Sequence, residues 1–224
     1  MFLNRDEAAN LLAEKLIAYR GKNPLILAIP RGAVPMAKII SSHLGGSYDV
    51  VLVRKLRAPL YPEFAIGAVD ESGWTYIADY AASAGADAKY IDYEKQVQMA
   101  TIQKRRELYT PIRPPIDPKG RIVIVIDDGL ATGATMITAL QSLRKKAPTK
   151  LICAVPVSPP DTLKKVAKLA DEVICLETPA DFQAVGQFYD SFPQVDDSEV
   201  IAILQSAQGQ NKKNIYRTHS FEWE

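Results

Sequence analysis

Along the chain, short runs of unbroken aliphatics alternate with longer segments whose apolar residues recur every third or fourth position. The runs "PLILAIP" (24–30), "YDVVLV" (48–53), "RIVIVI" (121–126), "KLICAVPV" (150–157) and "EVICL" (172–176) are continuous rather than alternating. That is the pattern of strands covered on both faces. Asn4 followed by Glu7 has the spacing of a capping box, ahead of Leu11, Leu12, Leu16 and Tyr19 at helical intervals. Gly21 closes that helix. "RGAVPMAKIISSHLGG" (31–46) reads as a glycine turn, a helix and a glycine stop. Further helices are expected from Ala134 to about Lys146 and over Thr162 to Ala170. Strands separated by helices predict an α/β fold with a mainly parallel, twisted sheet, flanked by helices and joined by right-handed crossovers.

The middle of the chain departs from this rhythm. "RKLRAPLYPE" (54–63) is basic and broken by two prolines, which predicts an exposed loop. "FAIGAV", Glu71 to Gly73 and "WTYIA" predict a hairpin. From about 85 to 110, Tyr90, Val97, Ile102 and Leu108 fall roughly on one side of a charged segment, as expected of a long surface helix. "IRPPIDPKG" (112–120) is a stiff connector. Residues 1–207 are expected to form one domain and 208–224 a polar tail.

Composition changes this picture little. The chain has 224 residues, enough for one sizeable core, and a formal net charge of +1. That balance gives no footprint for nucleic acid or an anionic membrane. Cys153 and Cys175 lie inside aliphatic runs and read as core thiols. His43 and His219 stand alone, so no metal-ligand cluster is suggested. The opening "MFLNRDEAANLL" has no apolar signal core, and no run is long enough to span a bilayer, so a cytoplasmic protein is expected.

The candidate chemistry sits where a strand stops. In "RIVIVIDDGLATGAT" the aliphatic run ends in Asp127 and Asp128, and the loop Gly129 to Thr135 leads straight into a helix. Ligands of open parallel sheets bind beyond the carboxyl ends of strands. A glycine- and threonine-rich loop at a helix N-terminus suits a phosphate. Acids beside a phosphate cradle suit a ligand with hydroxyls and a phosphate a few ångströms apart, as in a ribose 5-phosphate. A Walker loop is excluded because no Lys-Ser/Thr follows Gly133, and the dinucleotide fingerprint fails on glycine spacing.

"VIVIDDGLATGAT" resembles the signature of type I phosphoribosyltransferases, and "AIPRGAVP", "VRKL" and "DDGLATGAT" in that order resemble one bacterial and archaeal subgroup of unassigned acceptor. The resemblance covers about residues 5 to 205. It implies that Asp127 and Asp128 hold ribose hydroxyls and that Gly129, Ala131, Thr132, Gly133, Ala134 and Thr135 wrap the 5-phosphate. Pro30, Arg31 and Gly32 would bind pyrophosphate, with a cis peptide at Pro30–Arg31. Lys55 and Arg57, beside Arg54, correspond to a mobile loop that neutralises the leaving group; a merely solvated basic loop is the alternative. Asp127, Asp128, Arg31 and Lys55 would be the catalytic set.

"DFQAVGQFYDSF" (181–192) resembles the stretch with which oxopurine members bind the base and a metal. It implies an acceptor-binding hood containing Phe182, Val185 and Asp190, formed by the N-terminal segment and about 177–205, with Asp190 near the metal. Gln183 stands where those enzymes carry a stacking aromatic, and an amphipathic segment with Phe182, Phe188 and Tyr189 in the core is the alternative. Ala131 occupies the position of their proton-transferring Asp, so oxopurines are disfavoured by that mechanism. Glu63 is the substitute base, or an ordinary loop acid.

The family implies Mg2+, held by Asp190 and otherwise through the ligand. It also implies small-molecule substrates (5-phosphoribosyl 1-pyrophosphate and a nitrogen acceptor), no nucleic acid or membrane partner, and a homodimer. Two other readings use the same pocket: a sensor of phosphoribosyl pyrophosphate or nucleotide, and a hydrolase or phosphorylase of a ribose-phosphate derivative.

Overall fold

A computed structural model describes residues 1–112 and 114–206. The expected tail (208–224) and His219 lie outside the described residues. The aliphatic runs form the strands β1 (Leu25–Ala28), β2 (Ser47–Val50), β6 (Ile122–Ile126), β7 (Lys150–Val157) and β8 (Glu172–Glu177). They pair in the order β2-β1-β6-β7-β8, every pair parallel. A second sheet, β3 (Val53–Arg57), β4 (Ala65–Asp70) and β5 (Thr75–Ile77), is antiparallel.

The period-2 alternation of side chains explains why the parallel strands carry no polar face. Ile26, Ile124, Ile126 and Ile152 point into one core with Leu12, Met36 and Ile40. These last three come from α1 (Arg5–Lys15) and α2 (Ala33–Leu44). Leu27, Val125, Cys153 and Val155 point the other way, into a core with Met136 and Leu140 of α4 (Ala134–Arg144). A shorter helix, α5 (Pro160–Val166), follows β7 and stops before the expected Ala170. Asn4 caps α1 as read from sequence, its side chain accepting from Glu7 N at 3.0 Å, while the Glu7 carboxylate accepts from Leu3 N at 2.5 Å. Both cysteines are free thiols; burial pushes Cys175 up to about 11 and Cys153 further still, which leaves them inert as nucleophiles.

Strand order positions the site. From β1 the chain crosses through α2 to β2 on one side, whereas β6 lies on the other side of β1. α2 covers one face of the sheet and α4 the opposite face. The loops leaving β1 and β6 therefore diverge, and the crevice between them is the topological switch point of the sheet.

Two expectations are corrected. Residues 53–57 are the strand β3, not part of an exposed loop; only the connection 58–64 is irregular. The basic residues escaped recognition as a strand because the groups that hold them come from α3 (Ala88–Tyr109), far along the chain. That helix also faces inward differently from expectation. Val97 and Leu108 are exposed at 40% and 48%, and the buried series is Glu94, Gln98, Ile102, Arg105 and Tyr109. Gln98 Oε1 accepts from Arg54 Nε at 2.9 Å, and Glu94 Oε1 accepts from Arg57 N at 3.2 Å. A helix laid over an arginine-bearing strand must satisfy guanidinium groups, so its contact face is polar.

Candidate active site

The crevice holds a cleft of ≈ 460 Å³. One wall is the end of β1, where the Pro30–Arg31 peptide is cis and Gly32 precedes α2. A Cβ at Gly32 would lie 2.0 Å from Asp128 Oδ2, so only glycine permits this approach of loop to acid. Gly32→Ala is expected to displace Asp128 or the start of α2, costing about 1–3 kcal/mol of stability. Thermal unfolding measures it; an unchanged melting temperature would show that the close approach is dispensable.

The floor is the end of β6. Asp127 Oδ1 accepts from Asp128 N at 2.9 Å. Burial, with the Asp128 carboxylate beside it, pushes Asp127 well above the ordinary carboxylate range, against the opposing pull of the Asp128 N–H, Lys55 and Arg5. An acid that holds its proton longer when folded than when unfolded makes stability fall as pH rises, between the ordinary carboxylate value of ~4 and the raised one. Asp127→Asn removes that loss. Its melting temperature is expected to gain on the wild type across this window and to show no gain below it. A difference independent of pH would contradict this origin.

Asp128 is not open to solvent alone. Arg5 Nε donates to its Oδ2 at 2.9 Å, and Arg5 NH2 lies 2.8 Å from the same oxygen. Arg5 NH1 donates to Pro193 O at 2.6 Å, and its guanidinium stacks 3.8 Å from the Phe192 ring centroid. Tyr189 OH donates to Asp128 O at 2.6 Å. These contacts tie the acid to both ends of the described chain, which are themselves joined: Phe2 N donates to Phe188 O, and Asp190 N to Phe2 O, at 2.8 and 2.9 Å. Arg5 and Tyr189 were missed by sequence reasoning, because Arg5 lies 123 residues from its partner in the chain.

The third wall is the loop into α4. Gly133, at φ +77, is the left-handed residue that turns the chain into the helix. The loop is braced from behind: Leu130 N donates to Val157 O at 2.9 Å and Thr162 Oγ1 to Ala131 O at 2.7 Å. Its concave side faces the cleft at the N-terminus of an eleven-residue helix, where free N–H groups and the helix dipole favour an anion.

From the antiparallel sheet, Arg54, Lys55 and Arg57 line the opposite side, with Glu63 from the 58–64 connection. Burial, then the neighbouring Arg105, Arg57 and Arg31, pull the Arg54 guanidinium down to about 10. Val185 completes the cleft above Gly129, whose added Cβ would meet Val185 Cγ1 at 2.6 Å.

Of the residues singled out by sequence, Pro30, Arg31, Gly32, Lys55, Arg57, Asp127, Asp128, Gly129, Ala131, Thr132, Gly133, Thr135 and Val185 line this one cleft. Ala134 is buried beneath it as the first residue of α4. Phe182 packs on Phe188, ring centroids 5.2 Å apart, and is not part of the lining. Asp190 is exposed and outside it.

Residues 3–191 match the model of the phosphoribosyl transferase domain. The chain belongs to that family. It is 40% identical over 208 residues to "Putative phosphoribosyl transferase Rv0571c" of Mycobacterium tuberculosis, a match covering 92% of this chain and 47% of the relative. The chain thus spans about half the length of the curated relatives it matches. The crystal structure of TT1426 from Thermus thermophilus is 42% identical, with a TM-score of 0.76, over 92% of this chain and 98% of that one. The matched segment contains both sheets described above, the five-stranded parallel one and the small antiparallel one beside it. Among the described residues no helix is long and apolar enough to cross a membrane.

Proposed function

We propose that the chain transfers a phosphoribosyl group from 5-phosphoribosyl 1-pyrophosphate to a nitrogen nucleophile, with inversion at the anomeric carbon and release of pyrophosphate. The observation that carries this reading is convergence in one cleft: an acid at a strand end, a phosphate-type loop on a helix N-terminus, and cations on the facing sheet. Asp127 accepts the ribose hydroxyls, and Asp128, already engaged by Arg5, fixes the floor on which the ribose rests. The loop Ala131–Thr135 holds the 5-phosphate.

In the transfer, the nitrogen lone pair forms the bond to the anomeric carbon as the carbon–oxygen bond to pyrophosphate breaks, and the pyrophosphate oxygen takes that electron pair. Charge builds on the leaving group, where Arg31, Lys55 and Arg57 stabilise it. Ala131 carries no acidic group and Glu63 stands on the wall that receives the leaving group, so the acceptor's proton leaves to water. Orientation by the walls of the cleft supplies much of the remaining rate.

Among the described residues no group of three or more His, Cys, Asp or Glu side chains is placed to hold a metal ion. This fits Mg2+ arriving on the phosphate oxygens of the substrate, as that ion commonly does, rather than in a protein cage. Bound there, it would neutralise the departing pyrophosphate. Asp190 lies outside the cleft, so the proposal gives it no part in holding the ion.

Incubation with phosphoribosyl pyrophosphate, Mg2+ and a panel of nitrogen heterocycles tests the reading through pyrophosphate release. Release that requires an acceptor is expected. Release without one would mean hydrolysis, and binding without release would mean sensing.

A further inference from the structure

Behind the Pro30–Gly32 loop lies a second recess of ≈ 370 Å³, continuous with the cleft along Arg31, Arg54 and Phe192. Arg5, Arg31, Arg54 and Arg105 converge on it, and no acidic side chain is among its lining residues. The four guanidinium groups are held in place without being neutralised one for one. Arg54 donates to the neutral amide oxygen of Gln98. Arg31 NH1 and Arg105 Nε each lie 3.4 Å from the same carboxylate, Asp197, which also accepts from Tyr109 OH at 2.5 Å. Arg5 is paired with Asp128 on the cleft side. Gathering cations in a half-buried pocket is unfavourable unless an anion joins them; Arg54 is pulled down first by burial and then by Arg105, Arg57 and Arg31 beside it.

Arg31 and Arg54 line both the recess and the cleft. Lys55 and Arg57 line only the cleft, on the side of the antiparallel sheet, while Arg5 and Arg105 line only the recess. Phe192 to Val195 form the recess wall, in the same C-terminal segment as Val185. In a displacement with inversion, nucleophile and leaving group occupy opposite faces of the sugar. Pyrophosphate on the Lys55 and Arg57 side leaves the acceptor against Val185 and Phe192, with a substituent reaching the recess. A planar carboxylate or a phosphate matches the forked donors of arginine, whereas a neutral ring would leave them facing water.

We propose that the recess binds a carboxylate or phosphate carried by the acceptor, which makes the second substrate an anionic heterocycle. This rests on the transfer reading above and narrows it. Equilibrium dialysis in saturating pyrophosphate and Mg2+ tests it with two matched pairs, orotate against uracil and nicotinate against nicotinamide, and with inorganic phosphate. An anionic probe is expected to bind together with pyrophosphate. The carboxylated member of a pair should bind about 10- to 100-fold more tightly than its neutral partner, the range of one charge-assisted interaction.

Arg105→Gln should weaken the anion by a similar factor while weakening pyrophosphate less. If that variant does not fold, the competition in the unmodified protein still decides. Equal binding of charged and neutral members overturns the proposal, as does no binding of any anion. Expulsion of the anion by pyrophosphate also overturns it, since the arginines would then serve the leaving group. The two readings fail separately. Phosphoribosyl pyrophosphate that does not bind at all sinks the transfer reading, whereas pyrophosphate that binds but excludes the anion sinks only the anionic acceptor.

Discussion

Replacing Asp127 and Asp128 together by Asn is expected to lower phosphoribosyl pyrophosphate turnover by roughly 10²–10³-fold, the scale of losing preorganised electrostatic partners of a transition state. The fold should survive. Asn at 127 can still accept from the backbone N–H of residue 128, and the amide oxygen at 128 can still accept from Arg5. The change also removes the repulsion between neighbouring carboxylates that raises Asp127. On the proposed transfer, what disappears is the carboxylate charge that would stabilise positive charge developing at the anomeric carbon. Steady-state pyrophosphate release, with circular dichroism as the folding control, measures this. Near-normal turnover in the folded double variant would sink the assignment of the cleft.

Arg5→Met is expected to be the most damaging single change outside the acids. The Arg5 and Asp128 side chains are only 10% and 16% exposed. Removing the cation leaves a half-enclosed carboxylate without its partner and Pro193 O without its donor. Breaking such a pair costs roughly 2–4 kcal/mol, or a drop of about 4–16 °C in Tm for a chain of this size. Methionine fills much of the same volume against Phe192, so the loss reports charge and hydrogen bonding rather than a cavity. Because Asp128 would be free to turn, affinity for phosphoribosyl pyrophosphate should fall with stability. Arg5→Lys should recover part of the stability and less of the affinity, since an ammonium lacks the fork that spans Asp128 and Pro193. Unchanged Tm and affinity in Arg5→Met would mean that the pair contributes nothing.

The two experiments separate parts of the site that differ in how visible they are in the chain. Asp127 and the loop after it are adjacent in sequence to the strand that presents them, so burial pattern, acid pair and glycine turn appear together in fifteen residues. That the strands pair in parallel was equally open to reading, since continuous aliphatic runs mark strands covered on both faces, although their order was not. By contrast, "VRKLR" shows no apolar alternation, and the groups that hold it, Gln98 on the Arg54 guanidinium and Glu94 on the Arg57 backbone N–H, come from a helix about forty residues later. The same gap explains why α3 was expected to turn its apolar side inward: the surface it covers is not an apolar one.

Sequence alone therefore determined the cleft's chemistry where that chemistry is local: a buried strand ending in carboxylates, a phosphate-type loop at a helix start, and a glycine-bounded turn after the first strand. It also determined the layered α/β architecture, because continuous aliphatic runs separated by helices have few other ways to bury both faces. Tertiary structure decided the rest. It decided that Arg5 engages Asp128, that Phe182 and Asp190 stay out of the cleft, and that arginines from α1, the first loop, β3 and α3 meet in one recess. These features depend on contacts between segments up to 188 residues apart, and on side chains whose burial is set by whatever packs over them. No local propensity encodes that pairing; it exists only once the sheet has brought Arg5 and the 189–193 segment to the same edge of the crevice.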